Sequence, residues 1–150
     1  MGGLILAIPG ESGRVGPQRQ GARVTARVLI VDDDPAIRLL LVEALTFAGY
    51  ETAAAPDGEA GVALARSGHP SVVLMDLMMP KLNGADAIRA LRADPCTAAL
   101  RVIAMSAGIR LREQAGQLAA DSLLAKPFEL DTLFSEVERQ LRFAKVVAAG

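Results

Sequence analysis

Asp76 closes the apolar run Val72-Val73-Leu74-Met75 and opens a loop containing Pro80, Asn83 and Gly84. Asp32, Asp33 and Asp34 follow a second apolar run, Arg27 to Val31, and Lys126-Pro127 follows a third, Leu123-Leu124-Ala125. Each run delivers polar chemistry at its C-terminal end. Grouped carboxylates offer hard oxygen ligands to a divalent cation such as Mg²⁺, and a lysine among them offers a point positive charge. A carboxylate is a weak nucleophile, but it can attack phosphorus once its repulsion from the incoming anion is offset. The combination describes a site for a divalent metal and a phosphoryl group, provided the fold brings the three segment ends together.

The intervening sequence supplies elements that would do so. Short continuous apolar runs fall at 27–31, 72–75, 101–105 and 122–125, with a weaker one at 50–54 led by Tyr50. Continuous rather than alternating apolar strands are buried on both faces, as in a parallel sheet. Between them, Ile37, Leu40, Leu41, Ala44, Leu45 and Ala48 share one face of a helix that Asp34 can cap, with Pro35 in its first turn and Gly49 at its end. Further helices are expected at 58–67, 84–93, 109–119 and 129–145. Five strands alternating with five helices give an α/β doubly wound domain, and ligands in such folds bind beyond the strand C-termini.

With 150 residues, the chain is most simply one domain with an aliphatic core, since half the residues are apolar and 3% are aromatic. A net charge of -1 gives no general basic surface for nucleic acid. One cysteine, Cys96, excludes an internal disulfide and fits a cytoplasmic protein. No apolar run approaches the ~20 residues of a membrane span. Residues 1–26 are glycine-rich without a sustained period and are expected to form a flexible extension, with docking of Leu4–Ile8 on the domain as an alternative. Residues 27–145 form the domain and 146–150 a tail.

Val31-Asp32-Asp33-Asp34-Pro35, the segment Leu74 to Gly84, Ala104-Met105-Ser106-Ala107 and Leu124-Ala125-Lys126-Pro127-Phe128 together resemble the receiver domain of two-component response regulators. The resemblance implies a flavodoxin-like sheet of order 2-1-3-4-5, with Asp76 as phosphoacceptor. It implies Mg²⁺ held by Asp33, Asp76 and the backbone carbonyl of Met78, with Asp32 acting directly or through water. Lys126 would pair with Asp76 before reaction and with a phosphoryl oxygen afterwards, and the Lys126-Pro127 bond would be cis. Ser106 would sense the new phosphoryl group. The donor would be a sensor histidine kinase or a histidine phosphotransfer protein, and the output a downstream effector protein bound by an altered surface. Neither nucleic acid nor membrane is an expected partner, and the chain should be a monomer or weak dimer.

Several residues have plainer readings. Asp34 suits a helix cap better than a metal ligand. Met75, Met78, Met79 and Met105 suit packing, His69 a turn, and Cys96 a loop. One position departs from the family pattern, and two others bear on how fast phosphate is lost. Leu123 replaces the usual aromatic three residues before the lysine, so the coupling to the surface is in question. Met78 and Gly108 cannot orient a water by side-chain hydrogen bonds, so a long-lived acyl phosphate is expected. The 106–126 stretch is slightly short, which would trim or shift the 109–119 helix. The chain is expected to act as a stand-alone, chemotaxis-type receiver, without a helix-turn-helix module, catalysing only its own phosphorylation and slow dephosphorylation. Leu39 and Val42 on the first helix are the candidate contacts for the donor. The alternatives are a phosphorylation-independent interaction module and a metal-dependent phosphohydrolase, the latter disfavoured by Met78 where a second acid would stand.

Overall fold

The computed structural model describes residues 26–107 and 118–149. Residues 1–25, and most of the helix expected at 109–119, lie outside the described residues. Five strands alternate with helices: β1 (Arg27–Val31), α1 (Pro35–Phe47), β2 (Glu51–Ala55), α2 (Gly58–Gly68), β3 (Val72–Asp76), α3 (Gly84–Ala93), β4 (Arg101–Ser106), β5 (Ser122–Ala125) and α4 (Leu130–Ala149). The strands form one parallel sheet in the order β2-β1-β3-β4-β5. This is the flavodoxin-like order expected. The weak strand begins one residue later than anticipated, leaving Tyr50 half-buried ahead of it. No helix among the described residues is long and apolar enough to cross a membrane.

Strand periodicity divides the core into two layers. Leu29, Val31, Val73, Met75, Val102 and Ala104 pack toward α2 and α3, with Val62, Ile88 and Leu91. The alternate residues Val28, Ile30, Val72, Leu74, Ile103 and Met105 pack with Leu41 and Leu45 of α1 and Leu133 and Val137 of α4. Because both faces are covered, Val28–Val31 and Val72–Met75 are apolar at every position, and the acids appear only at the C-terminal edge, where Asp32 and Asp76 are still buried.

The helix boundaries follow local chemistry. The Asp34 carboxylate accepts from the Ala36 and Ile37 N–H groups, capping α1 ahead of Pro35. Gly49, with φ of 104°, reverses the chain after α1, a conformation that side chains disfavour. Two expectations for α1 need correction. Leu40 was placed on the core face but is 53% exposed, whereas Val42, placed outside it, is half-buried against the core. The apolar stripe therefore centres on Leu41 and Leu45 and is narrower than the sequence spacing suggests. Met78 also differs from the other methionines expected in the core: its side chain is 73% exposed, while Met75, Met79 and Met105 are buried.

Candidate functional site

Register brings the acids together. Val31 pairs with Met75, so one further step sets Asp32 beside Asp76 at the C-terminal edge of β1 and β3. Side-chain parity puts both on the α1/α4 face, with Val28, Ile30, Val72 and Leu74. Ligand oxygens of Asp32, Asp33 and Asp76 all lie within 4.8 Å of one another. Asp32 is fully buried, Asp76 is 4% exposed, and Asp33 lies open to solvent. Gly84 is required beneath this group, since a Cβ there would collide with the Asp76 carbonyl and force α3 away from the strand end.

Lys126 enters from the other side of the site. Its backbone N–H donates to the Ser106 carbonyl (2.9 Å), and the Lys126-Pro127 bond is cis. The Lys126 Nζ donates to Asp32 Oδ2 at 2.8 Å and lies 3.6 Å from Asp76 Oδ1. The expected partner was Asp76, but the lysine's shorter contact is to Asp32. Asp32 is the more deeply buried of the two acids, and its charge would be costly there without a partner. Its other oxygen accepts from the Asp34 N–H at 2.9 Å. Arg38 on α1 donates to the Asp32 carbonyl at 2.8 Å. Nothing in the sequence singled out that arginine, since it reads as one more polar residue on a solvated helix face.

These contacts set the protonation behaviour. Burial pushes the Asp76 carboxyl up to about 6, the Met78 N–H holds it down, Asp32 raises it further and Lys126 opposes that rise. The Met78 N–H donates to Asp76 Oδ1 at 3.2 Å. Burial disfavours the Lys126 charge, but its hydrogen bond to Asp32 and the fields of Asp76 and Asp32 carry the ammonium above the usual lysine range. Two buried carboxylates with one ammonium leave an excess of negative charge, which a divalent cation bound by hard oxygen donors would neutralise. The donor set fits Mg²⁺. The Met78 side chain points to solvent and offers no oxygen, so its carbonyl is the group available from that residue.

Ser106 is buried at the end of β4. With Leu77, Met78, Asn83, Arg89 and Leu118 it lines a cleft of about 280 Å³ beside the acids. Leu123 is half-buried and packs on the α2/α3 core layer. Gly108 lies outside the described residues. A structural brace was also unforeseen: Arg92 on α3 donates to the carbonyls of Ala98, Leu100 and Ala119 and to Asp121. Asp121 in turn accepts from the Val102 N–H at 2.7 Å. This knot fixes the start of β5, the strand that carries Lys126 at its far end. His69 caps α2 in a left-handed conformation and Cys96 is exposed in a loop, so neither takes part in the site.

A parallel 2-1-3-4-5 sheet with clustered acids and a lysine at its C-terminal edge defines a class that comparison with known proteins makes specific. The family model of the response regulator receiver domain matches residues 28–138, and the chain belongs to that family. It is 38% identical over 118 residues to the DNA-binding dual master transcriptional regulator RpaA of Synechocystis sp., a match covering 77% of this chain and 49% of that protein. The chain spans about half the length of the curated relatives it matches. The chemotaxis response regulator CheY4 of Vibrio cholerae superimposes with a TM-score of 0.73 at 28% identity, covering 78% of this chain and 99% of that one. The receiver domain of the sensor histidine kinase PA1611 from Pseudomonas aeruginosa, solved with a magnesium ion in its active site cleft, gives a TM-score of 0.73 at 28% identity. That match covers 79% of this chain and 98% of the other. The chain is thus a receiver domain of two-component signalling. The expectation that nucleic acid is not a partner is narrowed by RpaA, which is DNA-binding by name.

Proposed function

We propose that Asp76 accepts a phosphoryl group from a phosphohistidine on a sensor histidine kinase or a histidine phosphotransfer protein. The observation that carries this reading is the convergence of Asp32, Asp33 and Asp76 within 4.8 Å, with Lys126 in contact with two of them. Asp33, Asp76 and the Met78 carbonyl would hold Mg²⁺, with Asp32 acting directly or through water; the ion supplies positive charge against the anionic nucleophile and phosphoryl oxygens. An Asp76 carboxylate oxygen forms the new bond to phosphorus as the donor's phosphorus–nitrogen bond breaks, and the departing imidazole takes up a proton. Lys126, already 3.6 Å from Asp76, moves its charge from carboxylate to phosphoryl oxygen, which a long ammonium side chain does with little backbone change. Ser106 offers a hydroxyl donor to the modified group and turns inward with it.

The donor docks on α1. Leu39 and Leu40 are 58% and 53% exposed, and Leu40 borders an apolar cleft of about 390 Å³ with Ile37, Pro127 and Phe128 that reaches Lys126. This replaces the sequence-based pair Leu39 and Val42, because Val42 packs inward. Phosphorylation then changes the surface around β4 and β5, which binds or releases an effector protein in the cytoplasm. A second output, control of a DNA-binding regulator, is favoured by the likeness to RpaA.

The deciding experiment is incubation with acetyl phosphate and Mg²⁺, followed by intact mass. The parent should gain one phosphoryl group, and Asp76→Asn or omission of Mg²⁺ should abolish the gain. Absence of any Mg²⁺-dependent gain in the parent would favour a phosphorylation-independent module. Continuous catalytic release of phosphate would favour a phosphohydrolase.

A further inference from the structure

Two clefts reach the acids. One, bordered by Leu40 and Lys126, serves the protein donor; the other, of about 280 Å³, has no part in that step. Ser106 lines this second cleft from the end of β4, one residue beyond Met105, which pairs with Asp76 across the sheet. Met78 lines it from the end of β3, and the Met78 N–H donates to Asp76 Oδ1 at 3.2 Å. The cleft therefore opens from the two residues that flank the Asp76 carboxyl. Its volume of about 280 Å³ lies just below the ~300 Å³ at which sites for small organic ligands begin, so it suits a small molecule rather than a peptide.

Among the described residues, Arg89 is the only ionisable one on the wall of this cleft. It follows Ile88, which is buried in the core, but its own side chain is exposed. Its Nη2 donates to Asp86 Oδ1 one turn earlier on α3, which tethers the guanidinium beside the cleft. No other acceptor among the described residues contacts it, so Nε and Nη1 are available to a ligand. A guanidinium fork matches a carboxylate, and the neighbouring Met78 and Leu118 side chains match a short alkyl group.

We propose that Arg89 sets donor specificity: it binds the departing carboxylate of a small acyl phosphate that phosphorylates Asp76 without a kinase. This rests on the reading of Asp76 as phosphoacceptor. An Asp76 oxygen forms the new bond to phosphorus while the bond from phosphorus to the donor's bridging acyl oxygen breaks. The electron pair stays on that oxygen, and no proton moves, because a carboxylate leaves as a stable anion. In a loose transition state the leaving oxygen carries developing negative charge, and Arg89 pairs with that charge as it forms. A nitrogen leaving group behaves differently. Imidazole or ammonia departs by taking up a proton and offers the guanidinium no negative charge. Arg89 thus separates acyl phosphates from phosphoramidates.

The test compares acetyl phosphate with phosphoramidate, each with Mg²⁺, on the parent and on Arg89→Gln, following intact mass against time. Glutamine is a good helix former at this exposed position, so α3 is retained. The variant should be slowed roughly tenfold or more with acetyl phosphate and stay within about twofold of the parent with phosphoramidate. Arg89→Lys keeps the charge without the fork and should fall between the two with acetyl phosphate. Equal slowing with both donors, slowing with phosphoramidate alone, or no slowing with either would overturn the inference while leaving Asp76 as phosphoacceptor. If the parent gains a phosphoryl group from neither donor, the phosphoacceptor reading fails and the inference falls with it.

Discussion

Replacing Asp76 with asparagine should stabilise the metal-free protein at pH 7.5 while abolishing phosphorylation. The magnitude follows from burial. Asp76 titrates near 6 in the folded chain, against 3.8 for an ordinary aspartate. A shift of about two pH units corresponds to ~3 kcal/mol that the ionised carboxylate costs the native state. The sign is fixed by that order: stability from this group is fully present below 3.8 and is lost as pH rises through about 6. Asparagine stands in for the neutral acid, and its imperfect match to the site's hydrogen bonds is expected to cost about 1 kcal/mol. Lys126 keeps its 2.8 Å bond to Asp32, so no buried cation is orphaned. The net gain should be about 1–2 kcal/mol, or roughly 3–8 °C in Tm for a domain of this size. Urea unfolding in EDTA at pH 7.5 and again at pH 4.5 tests it, with the m-value checking that both proteins unfold alike. At pH 4.5 the parent's Asp76 is largely protonated and the advantage should shrink toward zero. An asparagine variant less stable than the parent at pH 7.5, or an advantage unchanged on acidification, would refute the charge-excess account of the site.

Three other outcomes are expected. Mg²⁺ affinity, measured by calorimetry, should be flat above pH 7 and fall about tenfold per pH unit below 6, since the ion competes with the proton on Asp76. Leu39→Lys with Leu40→Lys should leave phosphorylation from acetyl phosphate within about twofold and slow transfer from a cognate phosphohistidine donor by tenfold or more; equal slowing of both reactions would place these leucines in the fold rather than the docking surface. The aspartyl phosphate should persist for minutes or longer without a phosphatase, because the exposed Met78 thioether cannot orient an attacking water, and a half-life of seconds would contradict this.

The parts of this protein legible in the sequence are those where one residue type answers to one local demand. Continuous apolar runs ending in Asp32, Asp76 and Lys126 pointed to the parallel sheet and its C-terminal edge, because a strand covered on both faces keeps its charged residues to its ends. Asp34 was identifiable as a cap because Pro35 follows it and the helical period begins there. What escaped was anything decided by angle or by competition between partners. Leu40 and Val42 exchange roles on a small rotation of α1 about its axis, and several apolar residues on one helix leave that rotation unspecified. Lys126 was expected beside Asp76 and lies 3.6 Å from it, but its shorter contact, to Asp32, was not foreseen; the deeper burial of Asp32 sets a larger electrostatic demand. That choice matters for mechanism: a lysine anchored on Asp32 holds its charge at the site whether or not Asp76 is modified. It can therefore turn to a phosphoryl oxygen without first surrendering its only counter-charge.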